Sequence, residues 1–239
     1  MFTKKTEKLD LTALFAALLT SLTLLSFTAL LTLSPRFATL ATTAQAPHKK
    51  GTIDYFPYKI GRDKQGRTAL FNIAILSNQY KWLPGSNFQI QFNQEIISLE
   101  LLKLKLNQES LQEIMAEATA IIAVGVAGCG GSQAVQEGLA LERSQEIQKL
   151  AKSLFKNTPS VQSYYLLNLG QFQTSNCQEN QDLTAYQKSI IIIGVKPESE
   201  DVILDQALQD RLQNKPFADF KLKDYSLATM ETLKIISSN

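Results

Sequence analysis

Residues 120 to 127 read AIIAVGVA, a run without a single charged residue. A short, uniformly apolar run fits a strand covered on both faces; a half-exposed strand would alternate. The run opens into GCGGS (128–132), and from about 133 to 155 apolar residues recur at helical spacing. SYYLLNLGQF (163–172) then reads as a second strand. Strand, crossover helix and strand in one sheet predict a parallel pair with a right-handed connection. That unit commits the chain to the α/β class.

Around it the pattern is uneven. FQIQF (88–92) alternates as a strand does, LLKLKLNQESLQEIMAEA (101–118) begins with alternation and passes into helical spacing, and SIIIIGV (189–195) is a further strand. A helix is predicted near 200–213, and SLATMETLKII (226–236) predicts a last helical piece. TALFNIAIL (68–76) fits a strand, inside an extension (53–86) whose turn signals are GRDKQGR and LPGSN. Alternating strands and helices followed by two successive strands predict a two-layer α/β sandwich with a mixed sheet.

Residues 11 to 33 carry no charge. At 1.5 Å per residue they extend roughly 34 Å, enough to cross a hydrocarbon core of about 30 Å. Lys4, Lys5 and Lys8 precede the run; Arg36, Lys49 and Lys50 follow it. A signal peptide is the rival reading, but its apolar region would be shorter, and AQA (44–46) lies well beyond the run. The expected organisation is a tail (1–10), one N-terminal transmembrane helix (11–33), a small-residue linker (34–52), the extension (53–86) and an α/β domain (87–239). The leading lysines, closer to the membrane, place the N-terminus in the cytoplasm and the soluble domain outside it. A formal charge of +2 and no dense basic stripe give no nucleic-acid signal.

The glycine loop invites three chemistries. GVAGCGGS (125–132) has P-loop glycine spacing, but Gly131 stands where the phosphate-binding lysine is required. Backbone N–H groups of Gly128, Gly130, Gly131 and Ser132 at a helix N-terminus still suit a weakly bound anion, or a nucleotide in an enzyme domain. Such an enzyme would draw its acid or base from Asp54, Tyr55, Arg62 or Asp63. A Cys129 nucleophile would need a base, and the one histidine, His48, sits in the linker. No metal site, cofactor or catalytic residue is predicted. Cys129 and Cys177 each follow a strand of the parallel pair, so their loops leave the same sheet edge and a disulfide is feasible in an oxidising compartment. On the helix, Val135, Leu139, Ile147, Leu150 and Leu154 fall within about 120° of one another. Arg143 lies inside that arc, where it must snorkel, meet an acid or point at a ligand carboxylate.

A strand entering Gly125, a loop, then Leu139 and Arg143 at this spacing resembles the OmpA-like peptidoglycan-associating domain. That family ends the strand in glycine–histidine–threonine–aspartate and carries leucine–serine, then arginine–alanine, on the helix. Here the stretches read GVAG (125–128) and LALERSQEI (139–147). The resemblance spans about 88–195 and implies IQFNQEI (90–96) as first strand, NQESLQEIMAEA (107–118) as first helix and QKSIIIIGV (187–195) as last core strand. It implies a peptidoglycan site in which the family's aspartate falls on Gly128, its asparagine on Gln136 and its late arginines on Gln187 and Lys188. Arg143 alone is kept as a ligand contact. One apolar span before such a domain is also similar to the flagellar stator B subunit, although this span has no acidic residue. The expectation is a non-enzymatic, inner-membrane-anchored periplasmic domain that docks a partner protein or the cell envelope, with peptidoglycan binding through Arg143 and the glycine loop as the alternative.

Overall fold

The computed structural model describes residues 45–76, 80–173, 190–214, 217–218, 220–229 and 232–237. The apolar run 11–33, Cys177, Gln187 and Lys188 lie outside the described residues. Among the described residues, no helix is long and apolar enough to cross a membrane.

The run 120–127 forms β7 (Ala120–Ala127), buried at every position. It pairs parallel to β8 (Ser163–Gln171) and antiparallel to β9 (Ile191–Pro197). The linking helix, α3 (Gln133–Leu154), follows the predicted span closely. The chain is therefore mixed α/β with a mixed sheet. Beyond β9 comes β3 (Thr68–Leu76), then β2 (Ile53–Arg62) and β1 (His48–Lys50). On the other side β10 (Ile235–Ser237) pairs antiparallel to β8. Among the described residues the sheet thus has seven strands, in the order β1–β2–β3–β9–β7–β8–β10.

Several expectations change. The extension 53–86 supplies a hairpin of the main sheet; its β2 does not alternate cleanly, since Lys59 interrupts one set of alternate residues and Asp54 and Arg62 the other, and a bulge after Phe56 shifts its period. Residues 90–96 are not one core strand. They form β5 (Gln89–Phe92) and β6 (Glu95–Ser98) of a separate three-stranded sheet with β4 (Tyr80–Trp82). Asn93 and Gln94 turn the chain there with φ of 48° and 72°, the conformation a two-residue hairpin demands. The alternating LLKLKL is helical: α1 (Leu99–Gln108) starts at Ser98, whose hydroxyl accepts from the Leu101 N–H, and buries Leu102 and Leu106. A short α2 (Leu111–Ile114) follows Ser110, so 107–118 is no single helix. Among the described residues of the C-terminal stretch 226–236 there is no helix; its end joins the sheet as β10.

The two-layer expectation is also corrected, because both faces of the sheet are covered. Ile121, Ala123, Leu166 and Ile192 face α1, α2 and α3 through Leu102, Met115, Ile147, Leu150 and Leu154. Ile122, Val124, Leu167 and Ile193 face α4 (Leu204–Asn214) and the segment that follows it, through Ala207, Leu208, Leu212, Phe217 and Phe220. That second cover explains why β7 has no polar face.

Candidate functional site

The glycine loop lies where β7 and β8 end side by side, the edge at which open α/β sheets usually bind ligands. The Phe172 N–H donates to the Ala127 carbonyl at 2.9 Å, tying the two strand ends together. Two glycines shape the approach. A Cβ on Gly125 would lie 1.8 Å from the Ala140 oxygen, so only glycine lets α3 sit this close to β7. Gly131 turns the chain into α3 with φ of 80°.

The loop carbonyls face inward. The buried Gln171 amide donates to the Cys129 oxygen at 3.1 Å and the Gly131 oxygen at 3.5 Å. Beside it, Glu137 accepts from the Ser226 hydroxyl at 2.7 Å and the Gln133 amide at 2.8 Å. Asn168 donates to the Glu137 carbonyl and accepts from the Gly170 N–H. Gly131 and Ser132 are exposed; Gly128, Cys129 and Gly130 are half-buried. The Ser132 side chain makes no capping bond, so the first N–H groups of α3 have no side-chain cap. Val135, expected in the apolar arc, is 66% exposed at this rim.

Arg143 does not reach the rim. It is 3% exposed, and none of the three fates expected for it applies. Its Nε donates to the Ser86 carbonyl at 2.9 Å, Nη1 to Val126 at 3.0 Å and Nη2 to Leu83 at 3.0 Å. The guanidinium carbon lies 5.1 Å from the Trp82 ring centroid. Burial pulls the guanidinium down to about 10. Arg143 therefore fixes the LPGSN turn and the end of β7 to α3. Asn87 adds a bond to Glu142 in the same turn.

The other candidates are dispersed. Asp63 organises the β2–β3 turn, accepting from Gln65 N–H, Arg67 N–H, Arg67 Nε and Ile203 N–H. Arg62 lies in the same region and donates its backbone N–H to Asp210. Asp54 and Tyr55 lie on β2, paired with Lys49 and His48 of the edge strand β1. Among the described residues, no three His, Cys, Asp or Glu side chains converge as a metal site would require. The site as built is the glycine loop with Gln133, Glu137, Asn168, Gln171 and Ser226. Asn168 and Gln171 had a signal: they are the polar positions at the end of an otherwise apolar strand. Ser226 had none, because it reaches the edge from the far end of the chain.

The chain matches no protein-family model and no curated protein. Among solved structures it is similar to the periplasmic domain of MotB (residues 64–256), at 14% identity and a TM-score of 0.33, over 68% of this chain and 84% of that one. The site is read from its own geometry.

Proposed function

We propose that the chain is a membrane-anchored, non-enzymatic docking domain of the cell envelope, a divergent OmpA-like fold held outside the cytoplasm by residues 11–33. The observation that carries this reading is where the site's polar groups are directed. Arg143 donates to three carbonyls, Gln171 to the loop, and Glu137 accepts from Ser226 and Gln133. An acid–base or nucleophilic enzyme needs a group poised toward substrate. Here Gln171 braces the glycine loop, Arg143 the 83–87 turn and the end of β7, and Glu137 the start of α3, which suits recognition of a partner by a fixed surface: Gly131, Ser132 and Val135 at the rim.

A second reading, peptidoglycan binding, is favoured by one feature. The N–H groups at the start of α3 have no side-chain cap from Ser132, and a stem-peptide carboxylate would suit them. In that reading Gly128, Gly130, Gly131 and Ser132 contact the ligand, and Arg143 holds the end of β7 that leads into the loop. Sedimentation of the full chain in detergent with purified peptidoglycan separates the two. Binding that Ser132→Glu abolishes establishes the second reading. No co-sedimentation leaves a protein partner, to be captured by cross-linking from Ser132→Cys. Hydrolysis or modification of the peptidoglycan by the chain would overturn both.

A further inference from the structure

The helix α1, LELLKLKLNQ, has leucine on two opposite sides. Leu102 and Leu106 are fully buried and lie about 40° apart on a wheel at 100° per residue. Leu101 and Leu104 point the other way, about 150° from that pair, and are 42% and 60% exposed. Ile96, on the strand β6 that runs into α1 at Ser98, is 62% exposed. A helix that is apolar on one stripe needs one cover; leucine on the opposite side calls for a second. The neighbours of the outer leucines do not supply it. Glu100, Asn107 and Gln108 are exposed on the same side, and Lys103 and Lys105 flank it half-buried, Lys105 Nζ lying 4.2 Å from the Phe92 ring centroid.

The place of α1 in the chain points to the cover. Eleven residues, 34–44, separate the apolar run 11–33 from Gln45, and a chain of that length spans at most about 40 Å when fully extended. The last residue of the linker is bonded to α1 itself: the Thr52 N–H donates to the Glu109 carboxylate at 3.1 Å, and Glu109 is the C-cap of the helix. Leu104 lies five residues before that cap, about 8 Å along the helix axis. The exposed leucines are therefore among the parts of the domain nearest in the chain to the apolar run.

We infer that the outer side of α1 docks on the phospholipid bilayer, which rests on residues 11–33 being the anchor proposed above. Leu101 and Leu104, with Ile96 at the start of the helix, enter the boundary between headgroups and acyl chains, while the long side chains of Lys103 and Lys105 reach back to the headgroups. Burial of leucine rather than charge selects this surface. A short tether keeps the lipid at high effective concentration, so a small apolar ridge suffices. Docking holds the domain in one orientation on the membrane, which a tether alone does not.

The test uses the full chain in liposomes whose lipids carry bromine on the acyl chains near the glycerol. Flotation comes first: a chain that does not float with the liposomes has no anchor, and both readings fall. For a chain that floats, tryptophan is placed at Leu104→Trp and, as a control on α3, at Val135→Trp, with the wild type giving the background from the buried Trp82. Leu104→Trp should lose roughly half its added emission to the bromines, since an interfacial helix sinks its apolar face about 5–10 Å, and Val135→Trp should lose none. Adding Leu101→Glu to Leu104→Trp should restore the emission. A floating chain in which Leu104→Trp is unquenched, or quenched no more than Val135→Trp, keeps the anchor and overturns the docking. Unquenched emission shifted to the blue would show α1 covered by protein, a second copy or another partner, and would overturn it equally.

Discussion

Gly125 lies so close beneath α3 that a Cβ on it would stand 1.8 Å from the Ala140 oxygen and 2.8 Å from the Ser144 nitrogen. Both are backbone atoms and cannot rotate away. Gly125→Ala should therefore destabilise the fold by about 3 kcal/mol, the upper range for an overpacked core. Gly138, on the same helix, has nothing within 4 Å of its Cβ position. Gly138→Ala should stabilise by about 0.5–1 kcal/mol through helix propensity alone. Urea denaturation followed by the fluorescence of Trp82, 3% exposed, measures both. Equal effects of the two substitutions would contradict the close approach.

Arg143→Met should cost about 3 kcal/mol or more. It strips hydrogen bonds from the carbonyls of Leu83, Ser86 and Val126; Leu83 keeps one from the Ser86 N–H, while a buried carbonyl left unsatisfied costs about 1–3 kcal/mol. Arg143→Lys should recover part of that, since an ammonium can reach only some of these carbonyls. Trp82 emission should shift in both variants, because the guanidinium covers its ring. If Arg143→Met unfolds at the wild-type urea concentration, Arg143 is not the brace described above.

Asp63 makes the fold acid-sensitive. Desolvation pushes its carboxyl up, but hydrogen bonds from Ile203, Arg67 and Gln65 outweigh that and hold it below its ordinary value. A carboxyl with a folded value below its unfolded one adds stability above the unfolded value, and that stability is lost as pH falls through the folded value. Stability measured from neutral pH down through the range below about 4 should fall more steeply for the wild type than for Asp63→Asn, already weakened at neutral pH. Parallel pH curves for the two proteins would contradict the assignment.

How much of this was legible in the sequence varied with how local each cause was. β7, α3 and β8 were readable because an apolar run, a helical period and a second run each carry their own signal within one stretch. The hairpin at Asn93–Gln94 was missed because neither residue is glycine, yet both adopt positive φ. LLKLKL mimicked a strand, although Ser98 caps it as a helix. Arg143 was correctly singled out as anomalous, but its fate depended on Leu83 and Ser86, some sixty residues earlier, whose carbonyls no pattern near Arg143 reveals. Ser226 was invisible for the same reason.

A bridge between Cys129 and Cys177 is an expectation from the sequence, and counting thiols tests it. In protein prepared from the oxidising compartment, alkylation under non-reducing conditions should leave both cysteines unmodified, and reduction should expose two thiols. Two alkylated cysteines before reduction would exclude the bridge.

Sidedness tests the central claim most directly. Alkaline phosphatase and green fluorescent protein are fused in turn to the C-terminus of the full chain in a bacterial host. An envelope docking domain anchored by residues 11–33 predicts active phosphatase and a dark fluorescent protein. Inactive phosphatase with a bright fluorescent fusion would put the glycine loop in the cytoplasm and contradict the account.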